Sequence, residues 1–277
     1  MKSDRAHRLC RQLGAPSARP AAATAAVALA LASALSAAAA CGAPQGIVRV
    51  VDVDARLDIS LADGRVVRLA GLDLPSPGRG GPETAPAAQR FLSASLIGRE
   101  AEIDLLATGT DRWGRVMADL APPAAPGGIA IALLAAGYAR VKPEFEARAC
   151  APERLAAEDA ARRARLGLWS DPAYAVLEAS DLSALHARAG QFVVIEGRVR
   201  RIGFTRSRLY LDLASRDGPT IVLSRKLAPS LARAGRPVED MAGAVVRARG
   251  ALDDRPRPTI EVSEPAMIEV VRPEGVE

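Results

Sequence analysis

The stretch Val66-Val67-Arg68-Leu69-Ala70-Gly71-Leu72-Asp73-Leu74-Pro75 decides how this 277-residue chain is read. It sets Arg68 and Asp73 on a segment of strand character. Upstream, Ile47, Val48, Val50 and Val51 lead into Leu57, Ile59 and Leu61, and Ala62-Asp63-Gly64-Arg65 turns the chain back into Val66. Asp-Gly between alternating apolar residues is a strong hairpin signal. Downstream, Asp111-Arg112-Trp113-Gly114-Arg115 adds a second arginine, and Asp52-Val53-Asp54 adds carboxylates on the preceding strand. Arginine grips a phosphodiester through paired hydrogen bonds, and hard carboxylate oxygens hold a divalent cation, so this residue set points to phosphate chemistry.

Working outward, residues 75–86 are rich in Gly and Pro and read as a loop. Residues 87–97 carry Ala88, Phe91, Leu92 and Leu96 at helical spacing. Strands are expected over 100–106 and 115–120 with a turn at 111–114, and helices over 129–136, ended by Gly137, and 152–165, before Gly167-Leu168-Trp169. Trp169 reads as a core plug. The fold class is α+β: a small barrel with three helices over 46–170. A linker is expected over 171–189, holding a solvated His186, and a second unit over 190–272. There, short strands over 191–202, 208–213, 220–223, 244–250 and 259–262, with a helix over 227–234, follow the order of a five-stranded OB-type barrel. Arg198, Arg200, Arg201, Arg206 and Arg208 cluster on its first hairpin, with Phe192, Phe204 and Tyr210 the only aromatics in that unit. They read either as a track for a nucleic-acid backbone or as a solvated face.

Charge and composition exclude several classes. Lys2, Arg5, Arg8, Arg11 and Arg19 precede an uncharged run from Ala21 to Ala40, the pattern of an export signal over 1–40 rather than of a retained anchor. Without that leader, the formal +5 falls to 32 basic against 31 acidic residues, so net basicity says nothing about nucleic acid. His186 is then the only histidine, which leaves too little material for a Ser-His-Asp mechanism or a histidine-based zinc site. Export, to a periplasmic or secreted destination, makes a Cys41–Cys150 disulfide chemically reasonable. Free thiols, or a lipid-bearing Cys41 anchoring the chain at the envelope, are the alternatives.

The ordered motifs resemble those of the thermonuclease, or staphylococcal-nuclease-like, family over about residues 46–169. Beyond the motifs above, the likeness takes in Leu134, Gly137, Ala139 and Arg140, then Cys150, Leu155, Glu158, Ala161 and Arg162, and finally Gly167-Leu168-Trp169. The resemblance implies a five-stranded OB-type barrel with three helices. It also implies a Ca²⁺ ion held by Asp54, Asp73 and the backbone carbonyl of Leu74, with Arg68 and Arg115 on the phosphate of a DNA or RNA substrate. The family's Asp-Gly-Asp-Thr reads Asp52-Val53-Asp54-Ala55 here, and its general-base glutamate is Ser76. Serine cannot accept a proton near neutral pH, and a positioned base contributes typically ~10²–10⁴-fold, so turnover is expected to be attenuated. Glu83 in the same loop is the candidate substitute, unless it simply opens the next helix. Two readings follow: an exported Ca²⁺-dependent nuclease, or a degenerate relative that binds nucleic acid or an envelope partner.

Overall fold

The computed structural model describes residues 42–125, 127–214 and 217–271; the expected export signal, Cys10 and Cys41 lie outside them. The first unit runs β1 (Ala43–Val53), β2 (Ile59–Leu61), β3 (Val66–Leu69), β4 (Leu72–Asp73), α1 (Thr84–Leu96), β5 (Glu100–Thr110), β6 (Val116–Ala121), α2 (Ile129–Ala135), β7 (Arg140–Val141) and α3 (Ala151–Arg163). Strands close in the order β1-β2-β3-β6-β5, with β3 and β6 parallel. β1 is long enough to pair with β5 at its start and β2 at its end. The β2–β3 hairpin forms as its Asp-Gly predicts: Gly64 takes φ +87°, and Asp63 accepts the Arg65 N–H at 3.0 Å.

α1 begins three residues before the sequence expectation, because Pro86 falls in its first turn, where a missing N–H costs nothing. It buries Ala85, Ala88, Leu92 and Leu96 against the barrel. Past α2, Gly137 has φ +75°, and a Cβ there would lie 2.4 Å from the Leu166 carbonyl oxygen, so the helix end needs glycine twice over. Leu57, Ile59, Leu69, Ile103, Leu120 and Ile129 fill the core. Each is worth about 1.5–3 kcal/mol on burial.

The segment expected to be a linker is packed structure. β8 (Leu177–Glu178) and α4 (Leu182–His186) lie in it, and Tyr174, Ala179 and Leu185 are fully buried. The fully buried positions Tyr174, Ala179 and Leu185 are five and six residues apart, a spacing that matches neither a helical nor a strand period. The second barrel follows: β9 (Phe192–Phe204), β10 (Arg208–Leu213), β11 (Thr220–Ser224), α5 (Ala228–Arg233), β12 (Val245–Asp253), β13 (Thr259–Val262) and β14 (Ile268–Val271). β9-β10-β11-β13-β12 closes through β12–β9, with β11 and β13 parallel. This repeats the strand order and the parallel third-to-fifth pairing of the first barrel, so both are OB-type and the α+β expectation holds. β8 and β14, too short to read from sequence, extend β9 and β12.

Apolar contact between the barrels is small, centred on Ala161, Trp169 and Val194. Charge completes the junction. Arg249, 1 % exposed, donates to Glu158 Oε1 of α3 at 2.6 Å and also to Glu269. Glu158 in turn accepts the Val141 backbone N–H. Replacing Arg249 by methionine fills the space but strands two carboxylates, so Arg249→Met is expected to cost about 3–5 kcal/mol. Urea unfolding of the variant measures this, and an apolar triple replacement of Arg249, Glu158 and Glu269 is expected to recover much of the loss.

Candidate phosphate site

The site begins with a turn. Asp54 Oδ1 accepts the backbone N–H groups of Arg56 and Asp58, both at 2.8 Å, and the Asp54 carbonyl accepts the Leu57 N–H at 3.0 Å. Leu57 pays for this turn with φ +63°, a left-handed conformation costing a branched residue of order 1–3 kcal/mol, held by a side chain buried in the core. The turn delivers Asp58 to the barrel surface beneath two guanidiniums. Arg68 of β3 donates to Asp58 Oδ1 at 3.0 Å and to the Arg56 carbonyl at 2.6 Å. Arg115 donates through Nη1 to both Asp58 oxygens, at 2.9 and 3.1 Å, and through Nε and Nη2 to Asp111 Oδ2, at 2.9 and 2.7 Å.

Arg68 and Arg115 are therefore brought together as the sequence reading expects, but across a carboxylate of the protein itself. Asp58 was not singled out, because Leu57-Asp58-Ile59 reads as a polar gap between core residues. Its low exposure, 8 %, at the end of the turn before β2 is the mark of a paired charge. Burial works to lower Arg115, but Asp111 and Asp58 outweigh it and hold the guanidinium above its ordinary value. Burial likewise works to raise Asp111, but hydrogen bonds from the Arg115 guanidinium and from the Arg115 and Trp113 backbone hold it below the usual carboxylate range. Trp113 projects into solvent with Arg112 and Arg115 over its ring at 3.9 and 4.7 Å.

Asp73 lies apart from this pair, so an Arg68–Asp73 ion pair does not form. In the β4–β7 ladder Asp73 stands directly opposite Arg140. Arg140, 1 % exposed, donates through Nε and Nη2 to Asp73 Oδ2 at 3.0 and 2.6 Å. Its remaining donors reach the carbonyls of Tyr174 and Phe192, at 3.1 and 2.9 Å. Arg79 adds a second guanidinium 4.0 Å from Asp73 Oδ1, stacks on the Tyr174 ring and donates to the Phe192 carbonyl. Burial pulls Arg140 below its ordinary value, and Asp73 opposes that pull.

This donor set does not fit a calcium ion. Asp73 is engaged by two arginines and Asp54 by backbone N–H groups. Leu74 is buried beside them. Ser76 is exposed at the edge of a cavity of about 320 Å³ that Ala55, Arg79 and Gln89 also line and that no acidic side chain enters. Glu83 precedes α1 as its N-cap and pairs with Arg90 at 2.9 Å in solvent, away from that cavity. Cys150 is buried and disulfide-bonded, while Cys41 lies outside the described residues.

Residues 66–171 match the family described as staphylococcal nuclease homologue, a span that includes Arg68, Asp73, Ser76 and Arg115 and omits Asp54. The chain is 31 % identical over 133 residues to Protein ParB of Escherichia coli, covering 46 % of this chain and 72 % of that protein. The chain belongs to the staphylococcal nuclease homologue family. The second barrel lies beyond the family match. At the positions that the resemblance singles out, residue 76 is a serine, Asp73 pairs with Arg140, and Arg68 and Arg115 hold Asp58.

Two outcomes are expected. Asp58→Asn keeps the shape but removes the competing charge, so affinity for a nucleoside 3′,5′-bisphosphate is expected to rise by roughly tenfold, in line with the strength of hydrogen bonds to charged groups; ³¹P NMR titration measures it. Asp111 has a lowered folded value, so its stabilising contribution is present above the unfolded carboxylate value of about 3.9 and fades as pH falls through the folded one. Thermal melts between about pH 5 and 2 are expected to show a shallower acid limb for Asp111→Asn than for wild type.

Proposed function

We propose that this chain is an exported, nucleic-acid-binding member of the staphylococcal nuclease homologue family whose phosphodiester hydrolysis is strongly attenuated. The carrying observation is the cross-strand Asp73–Arg140 pair, buried on the arginine side and tied to two carbonyls of the following segment. A calcium ion there would have to displace two guanidiniums. Ser76 supports the same reading, since no other proton acceptor lines its cavity. Arg68 and Arg115, with side chains 25 % and 18 % exposed, both hold Asp58, so a phosphate that displaces it would meet a bidentate clamp. Nucleic acid, DNA or RNA, is accordingly the ligand.

Export rests on the basic leader and apolar run before Cys41, and on the disulfide at Cys150, a bond that persists in oxidising compartments. Pairing of Cys150 with Cys41 would leave no thiol for a lipid, so we place the chain in the periplasm or outside the cell without an acyl anchor. N-terminal sequencing and thiol titration of the protein recovered from the envelope check both points.

The rival reading is an active Ca²⁺-dependent nuclease, favoured by the retention of Asp54, Arg68, Asp73 and Arg115. Cleavage of labelled DNA and RNA by the mature protein separates the two. Turnover is expected to be low and equal in Ca²⁺ and in EDTA. Ser76→Glu is expected to raise it by less than the ~10²-fold that a base acting on a metal-held phosphate contributes. Cleavage that EDTA abolishes and Asp73→Ala removes would overturn the proposal in favour of the nuclease.

A further inference from the structure

The second barrel carries a charged face that the first barrel's chemistry does not use. Register on β9 and β10 runs in step until Asp212 pairs with Arg201 and Leu213 with Val199, leaving Arg200 as the extra residue of a β-bulge. A bulge breaks the inward–outward alternation, so Arg200 and Arg201 both face solvent while Val199 stays buried. Beside them opens a cleft of about 880 Å³, lined also by His186, Asp212, Asp217 and Arg257.

Charge in the cleft is organised. Asp212, largely buried, accepts from Arg201 Nε at 2.8 Å and from Arg257 Nη2 at 3.0 Å, while Thr220 donates to it at 2.9 Å. The carboxylate holds both guanidiniums in place, and Arg201 remains 74 % exposed despite the anchor. Arg200 makes no ion pair or hydrogen bond among the described residues, and neither does Arg206 in the β9–β10 loop. Between these two positions lie the aromatics. Phe204, 57 % exposed, pairs with Leu209 at the rim of the barrel, while Tyr210, on the outward phase of β10, faces Gly203, so no β9 side chain covers it.

The cleft and Tyr210 lie on the outer face of the first and second strands of this OB-type barrel, with the loop between its fourth and fifth strands along one side and Arg206 in the loop between its first two. Those two loops are the ones at which this architecture takes extended oligomers. Cations spaced along a strand with interleaved aromatic rings suit a flexible chain of phosphates with unstacked bases, and suit a duplex poorly, since its rings are already stacked. We infer that the β9–β10 face and its cleft form a second binding site for single-stranded nucleic acid, separate from the Arg68–Arg115 clamp. This rests on the reading that nucleic acid is the ligand, and it adds the strandedness and a second place of contact.

The test is fluorescence anisotropy of a labelled deoxythymidine oligomer with the whole mature protein, over a range of salt. Wild type is expected to prefer the oligomer to a duplex of equal length. Arg200→Ala with Arg206→Ala is expected to weaken binding at least tenfold and to flatten the log–log salt slope by about 1.4, at ~0.7 per lost phosphate contact on single strands. Lysine at both positions is expected to restore most of the slope, and Phe204→Ala to weaken binding about fivefold or more without changing it. Arg68→Ala with Arg115→Ala is expected to remove a separate share of oligomer affinity, one that adds to the Arg200/Arg206 loss when the four substitutions are combined. These side chains are exposed, so unchanged melting temperatures are expected to exclude misfolding. Unaltered affinity in the Arg200/Arg206 variant, or loss confined to the Arg68/Arg115 variant, overturns the second site while sparing the proposed function. Failure to bind any nucleic acid, with co-sedimentation on anionic phospholipid vesicles instead, overturns both.

Discussion

A guanidinium cannot shed its charge, so an arginine taken out of water must be met by carboxylates and carbonyls, or the structure pays several kcal/mol. Among the described residues, three arginines are 1 % exposed: Arg140, Arg154 and Arg249. Their demands organise everything around them. Arg154 takes Asp119 and the Ala70 carbonyl inside the first barrel, and Arg249 takes Glu158 and Glu269 across the junction. Arg140 takes Asp73 and two carbonyls of the chain leading into β9. Once the second barrel is docked in this way, Asp73 belongs to the architecture.

The engagement of Asp73 by arginine follows from how the second barrel joins the first. The family match ends at residue 171, and β9 begins at Phe192, whose carbonyl receives both Arg79 and Arg140. The same arginines that reach it confront Asp73. Joining a second barrel at this edge and keeping an open cation site at Asp73 place opposite requirements on one carboxylate. At the other end of the site Asp58 applies similar logic to Arg68 and Arg115, which lie close enough to repel one another without an anion between them.

Much of the fold was legible because it is written locally. Asp63-Gly64 specifies a turn by its own dihedral needs, and Leu92 and Leu96 mark a helix face by spacing. Both barrels could be read from the order of such signals. The packed stretch at 171–189, with β8 and α4, escaped because its buried residues, Tyr174, Ala179 and Leu185, follow no period. Asp58 escaped because its partners are 10 and 57 residues away, and Arg140 because its acceptor is 67 residues distant. Motif spacing tells which residues share a barrel. It does not tell which cation a carboxylate will face, since that depends on what else folds against it.

The sequence boundary near residue 170 consequently fails as a boundary in free energy. A fragment cut there would keep every motif of the family and a complete five-stranded barrel, yet Arg140 would lose the Tyr174 and Phe192 carbonyls, and Glu158 would lose Arg249. Water would then screen the Asp73–Arg140 contact and loosen the edge where the two barrels meet. Such a fragment is a different chemical object from the intact chain. Modularity in this protein is a property of topology, and its electrostatics are indivisible.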